Sequence, residues 1–150
     1  MGYTFTVRAA RVIEEILPNE TPSRAARRLA VEKAMDVALR IGSGRVLGAD
    51  TLVVVNGEIL GKPDGPSDAR RMLRLLSGRA HRVVTGLALA DARTLRVTSA
   101  HSTTTVTFRK LTAREINWYL STGDPMDKAG AYGIQGGAGL AQPAVRITKL

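Results

Sequence analysis

Residues 45–60 read Arg45-Val46-Leu47-Gly48-Ala49-Asp50-Thr51-Leu52-Val53-Val54-Val55-Asn56-Gly57-Glu58-Ile59-Leu60, and this stretch decides the fold. The Val- and Leu-rich run from Arg45 to Val55 predicts a buried strand. Asn56-Gly57 is a hairpin signal, because a type I′ turn needs positive φ at both central residues. Glu58-Ile59-Leu60 then returns as a short partner strand. Upstream, Thr21 before Pro22 predicts a helix start, with a capping hydroxyl and proline in the first turn. That helix runs to about Ile41, ahead of Gly42-Ser43-Gly44, with an apolar face of Ala26, Leu29, Ala30, Ala34, Val37 and Ile41. Residues 3–8 alternate and predict a short strand.

Downstream of the hairpin, Gly61-Lys62-Pro63-Asp64-Gly65-Pro66 reads as a rigid loop. Ser67 is the expected cap of a helix carrying Met72, Leu73, Leu75 and Leu76, which Gly78 ends. His81 to Ala90 and Thr94 to Phe108 read as strands paired across a turn at Asp91-Ala92-Arg93. Thr112-Ala113-Arg114-Glu115 is a capping box that opens a helix through about Leu120. Asp124-Pro125 stops it, and Ala144 to Thr148 reads as a last strand. Strands and helices alternate with hairpins among them. The expectation is an α/β fold with a mixed twisted sheet and flanking helices. At 150 residues the chain suits one domain, 1–150.

A hydrophobic share of 44% with 4% aromatic residues implies a core of Leu, Val, Ile and Ala. There is no cysteine, which excludes disulfides and cysteine-bound metal. No apolar run approaches ~18 residues, so no membrane partner is expected. The start lacks the apolar core of a signal peptide, and a cytoplasmic setting is expected. The formal charge is +9, with Arg24, Arg27, Arg28, Arg70, Arg71, Arg74 and Arg79 on two predicted helices. Such a surface suits an anionic partner, a polyphosphate or nucleic acid, and equally serves solubility. Nucleic acid is the lesser expectation, because the aromatic residues of a single-strand binding platform are missing.

Asp50 is the first candidate for chemistry. A carboxylate inside an apolar strand is costly to bury unless it is paired or binds a cation; a strand end near solvent is the simpler alternative. Glu14-Glu15 forms a second acidic group, suited to Mg²⁺ near a phosphate site or to a plain surface loop. Lys33 falls near the middle of an apolar helix face, where it either snorkels or aims its charge into a cleft. Lys62 lies in Gly-Lys-Pro. Lys128 lies in Asp127-Lys128-Ala129-Gly130-Ala131-Tyr132-Gly133-Ile134-Gln135-Gly136. Here glycine permits close backbone approach, lysine offers a charge to phosphate, and the Gln135 amide can read a base edge. The same stretch reads equally as a Gly-rich surface turn. Gly57 to Lys62 is not a P-loop: its spacing is one residue short, and Pro63 replaces the metal-binding hydroxyl residue. His81 and His101 make neither a nucleophile triad nor a zinc site.

Six motifs in order resemble the Maf family of nucleoside triphosphate pyrophosphatases. They are Ile13-Glu14-Glu15, Glu32-Lys33-Ala34, Gly48 to Thr51, Gly57 to Pro63, Ser77 to Gly86, and Asp127 to Gly136. The resemblance implies an elongated fold like that of inosine triphosphate pyrophosphatases, with the site in a cleft between two lobes. It implies hydrolysis between the α and β phosphates, with Mg²⁺ or a similar metal such as Mn²⁺, and a homodimer. Asp50 matches the family's proton acceptor, and Glu15 an acidic residue that binds metal or water. Asp50 and Glu15 are thus the implied metal ligands. Lys33, Lys62 and Lys128 match the phosphate-holding lysines, Lys62 among the catalytic residues. Thr51 and Gln135 match positions tied to base selection. The last motif is similar to that of the dTTP/UTP branch. The chain has no counterpart of the family's opening strand and Ser-x-Ser-Pro-Arg-Arg loop. Gly137 to Leu150 diverges from the family's Gly-Leu-Pro ending. The expected fold is therefore Maf-like and truncated at both edges. A second expectation follows: a Maf-like chain that binds nucleotide, or acts as a dimeric interaction protein, without turnover.

Overall fold

A computed structural model describes residues 4–133 and 145–149, the last group by backbone alone. Its elements are α1 (Pro22–Ile41), β1 (Arg45–Val55), β2 (Glu58–Leu60), α2 (Pro66–Leu76), β3 (Ala80–Asp91), β4 (Val97–Phe108), α3 (Ala113–Ser121) and β5 (Val145–Lys149). The strands form one sheet in the order β2-β1-β3-β4-β5. β1 pairs antiparallel with β2, Val53 opposite Leu60, and β4 pairs antiparallel with β5, Val106 opposite Ile147. The chain divides into two compact units. The first holds Met1–Asp50 and Thr85–His101, the second Thr51–Val84 and Ser102–Leu150.

In the first unit, Thr21 caps α1 by accepting from the Arg24 N–H, and Gly42 closes it in the left-handed conformation. The predicted face is buried as far as Val37, with Ala26, Leu29, Ala30, Ala34 and Val37 at most 6% exposed, while Ile41 at the helix end is only partly buried. The alanines of α1 pack with Ala88, Ala90 and Ala92 of β3 and its following turn. Two glycines bring the helix close to the strands. A Cβ on Gly48 would lie 2.4 Å from the Ala30 carbonyl oxygen, and one on Gly86 2.1 Å from that of Ala26. Residues 4–8 form no strand, contrary to the alternation. The segment that follows is tied to helix side chains instead: Arg40 Nη2 donates to the Ala9 carbonyl at 2.7 Å, and Asp36 accepts from the Arg11 N–H at 2.9 Å. Alternation alone does not supply a partner edge.

The second unit has a core of Val53, Val55, Leu60, Leu73, Leu76, Val106, Phe108, Ile116 and Tyr119. The hairpin forms as expected, with φ of 51° at Asn56 and 83° at Gly57. α2 starts two residues earlier than a Ser67 cap would require. Gly65 is the cap residue, with no side-chain bond, and Pro66 occupies the first turn. Proline at the first helical position has no N–H to satisfy and holds helical φ. β4 begins at Val97 rather than Thr94, because the Asp91 carboxylate accepts from the Arg93 and Thr94 N–H groups and prolongs the turn. The Thr112–Glu115 capping box forms in both directions at the start of α3. After α3 the chain makes two short 3₁₀ turns, Asp124–Asp127 and Ala129–Ala131.

No helix among the described residues is long and apolar enough to cross a membrane.

Candidate active site

The sequence candidates gather into two groups, one in each unit. In the first unit, β1 turns the Asp50 side chain inward, leaving the residue 7% exposed. Lys33 of α1 meets it, with Nζ 2.6 Å from Asp50 Oδ1. The glycine contacts at positions 48 and 86 make this reach possible, since they remove a layer of side chains between helix and strand. Lys33 also holds Glu14 Oε1 at 2.8 Å, so one ammonium bridges two carboxylates. Burial pulls the Lys33 pKa down, but the bonds from Asp50 and then Glu14 outweigh it and hold the ammonium above its ordinary value. The second oxygen of Asp50, Oδ2, is buried with no hydrogen-bond partner.

Arg28, one and a half turns earlier on α1, sets the acidic segment in place. Its guanidinium takes both Glu20 oxygens, at 2.9 and 2.8 Å, and Glu32 at 3.0 Å. A further N–H donates to the Glu15 backbone carbonyl at 2.8 Å. Fork-shaped bonding of this kind fixes direction as well as distance. Glu15 is thus held by its main chain and its residue is exposed, while Glu14 supplies the carboxylate that meets Lys33. The sequence marked the acidic pair; the choice of Glu14 for Lys33 needed the Arg28 contact.

In the second unit, Thr51 begins where Asp50 ends and faces outward. Lys62 and Lys128 lie on adjoining loops, joined by a bond from the Gly130 N–H to the Gly61 carbonyl at 2.9 Å. Gly130 has φ of 69°, and a Cβ there would press on Val53 at 3.0 Å. Lys128 Nζ donates to the Asp124 carbonyl at 2.8 Å and to Asp127 at 2.6 Å. The Asp127 bond raises the Lys128 pKa, and Lys128 in turn lowers that of Asp127, with help from the Lys62 charge. Gln135 lies outside the described residues.

The residue-by-residue reading missed Tyr132 as an anchor. Its hydroxyl meets His81 Nε2 at 2.7 Å, and both rings pack edge-on with Phe108. The available signal was a histidine alternating into the core side of a strand, which needs a polar partner.

The family profile for Maf-like proteins matches residues 1–143. The chain belongs to the Maf family. A Moorella thermoacetica protein named dTTP/UTP pyrophosphatase is 48% identical over 136 residues, covering 91% of this chain and 70% of the relative. A protein of the same name from Geotalea uraniireducens is 50% identical, over 91% of this chain and 71% of its own length. One from Anaeromyxobacter dehalogenans is 47% identical, over 97% and 74%. The family match covers both groups of candidate residues, so each belongs to the Maf-like part of the chain.

Asp50 and Glu14 are oxygen donors of the kind a hard divalent cation takes. Mg²⁺ is commonly held by one or two carboxylates, with phosphate and water completing its shell. The partnerless Asp50 Oδ2 suits that role. Among the described residues no group of three or more His, Cys, Asp or Glu side chains could enclose a metal, and Mg²⁺ beside a phosphate does not require one.

Proposed function

We propose that this Maf chain hydrolyses dTTP and UTP to the monophosphate and pyrophosphate. The observation that carries the reading is the buried Asp50 carboxylate, one oxygen fixed on Lys33 and the other without a partner. The names of its relatives supply the substrate class.

In this reading the Asp50 carboxylate takes a proton from water as the water oxygen bonds to the α phosphorus. The bond from that phosphorus to the bridging oxygen breaks, and pyrophosphate leaves with the electron pair. Lys33 orients Asp50 before the reaction. Lys62 and Lys128 supply cationic partners for phosphate oxygens, with Lys128 exchanging Asp127 for the substrate. Thr51 and Gln135 are the residues proposed for base selection. A divalent metal, Mg²⁺ or Mn²⁺, would be held by Asp50 and the Glu14-Glu15 segment, with Glu15 the residue that the family resemblance names. When bound it would neutralise charge building on the phosphates. The proposal also includes a cytoplasmic setting, and a homodimer that rests on the family resemblance.

The test is pyrophosphate release from dTTP, UTP, CTP, GTP and 7-methyl-GTP with Mg²⁺. Release from dTTP and UTP is expected, and Asp50→Asn should lower it by at least ~100-fold, the scale of a lost general base. The variant should keep the wild-type circular dichroism spectrum. Turnover unchanged by Asp50→Asn would remove Asp50 from the mechanism. Nucleotide binding by wild-type protein without any release would favour a binding protein over a hydrolase.

A further inference from the structure

His81 is 3% exposed, in a core where an apolar ring of similar size would pack without an unmet polar atom. Its neutral form is enforced: burial lowers its pKa to about 4. Nδ1 meets no partner in good hydrogen-bond geometry and the Arg79 backbone offsets only part of the burial, so the well-formed polar bond of His81 is the one between Nε2 and the Tyr132 hydroxyl. Tyr132 is itself buried, and burial raises its pKa well above the ordinary phenol value, so the hydroxyl keeps its proton. Phe108 holds both rings, with centroids 5.0 Å from His81 and 4.8 Å from Tyr132.

Tyr132 is the first residue beyond the tight turn Ala129–Ala131, and Lys128 is the residue before it. The turn is fastened at three further points. The Gly130 N–H binds the Gly61 carbonyl, Gly130 packs on Val53, and the Gly133 N–H donates to the Tyr119 hydroxyl at 3.2 Å. The first of these joins the turn to the residue just ahead of Lys62. A shift of the Tyr132 ring therefore moves the support shared by the two lysines.

We propose that His81 and Tyr132 are positioning residues whose buried hydrogen bond fixes the Lys128 turn against the Lys62 loop, and so sets the affinity for the substrate's phosphates. The inference rests on the hydrolase reading above. It predicts an effect on substrate affinity rather than on proton transfer at Asp50, because both residues act through the support of the two lysines.

Tyr132→Phe removes one oxygen and leaves the ring. KM for dTTP should rise about fivefold, the size expected from one lost hydrogen bond, with kcat within about twofold of wild type. His81→Phe should give a similar rise. The double variant should add little to either, since both remove the same bond. His81→Gln, which retains a donor and an acceptor, should recover part of the lost affinity. An unchanged KM in folded Tyr132→Phe would overturn the inference. So would a fall in kcat that tracks the folded fraction at constant KM, the mark of a merely structural role. If His81→Phe does not fold, Tyr132→Phe alone decides. Calorimetric titration with a non-hydrolysable dTTP analogue separates the two proposals. Wild type that binds without turnover defeats the hydrolase, while a Kd raised about fivefold in Tyr132→Phe still supports the positioning role.

Discussion

Lys33 reaches across from a helix to end on two carboxylates, and it is the residue whose removal should be felt most. Its side chain is 19% exposed and that of Asp50 5%, so their ion pair is largely out of water. Replacing Lys33 with Met leaves Asp50 buried and uncompensated, which should cost about 3 kcal/mol in urea unfolding at pH 7. Adding Asp50→Asn should restore part of that loss, because the uncompensated charge disappears. Strictly additive losses would show that the two residues do not interact. Much of this pair was legible in the sequence: a carboxylate in a valine-rich strand and a lysine on an alanine-rich face each lack an obvious partner. Glu14 was less legible. Its place on Lys33 depends on Arg28 capturing the Glu15 carbonyl, and spacing along the chain does not encode which of two adjacent carboxylates turns inward.

Between helix and strand, the deciding feature is the absence of two β-carbons. Gly86→Ala would drive a methyl to 2.1 Å from the Ala26 carbonyl oxygen, a contact that only backbone movement can relieve. The expected loss is about 3 kcal/mol, the upper end for overpacking, with Gly48→Ala close behind. Thermal unfolding of both variants checks it, and a stability change under ~0.5 kcal/mol would show that α1 does not lie against β3 as described. The elements themselves were readable where local chemistry is complete, as at the Thr21-Pro22 start, the Asn56-Gly57 turn and the Thr112–Glu115 box. Reading failed where the answer depended on a distant group. Residues 4–8 alternate like a strand, yet Phe5 and Val7 stay exposed, and it is the segment after them that helix side chains tie down. Ser67 is a good cap in isolation, yet Pro66 before it claims the helix start.

Across the whole molecule, acid should act through His81. Its ordinary pKa is 6.5, and burial lowers it to about 4 in the folded chain. Below pH 6.5 the unfolded chain binds a proton that the folded chain refuses, so stability should fall as pH drops from about 6.5 to about 4 and then level off for this group. At about 1.4 kcal/mol per pKa unit, the full effect is on the order of 3 kcal/mol. Urea titrations of wild type and His81→Phe at pH 7, 5.5 and 4 check the sign: wild-type stability minus that of the variant should fall toward pH 4. A constant difference would show that His81 is not the acid-sensitive group. The positive charge, by contrast, is a weak guide to function. Arg28 is committed to Glu20 and Glu32, and Arg71 to Asp68 and Glu58.

The division of the chain carries a consequence for how the protein is made. Neither unit is a continuous piece: the path passes from one to the other after Asp50, after Val84 and after His101, each time within a strand. On a ribosome α1 is finished first, yet Gly86, against which it packs, has still to be synthesised. The alanine face must wait on the order of seconds at ordinary elongation rates. During that interval the apolar side of α1 lacks the strand that covers it. No single cut of the finished gene can yield either unit by itself.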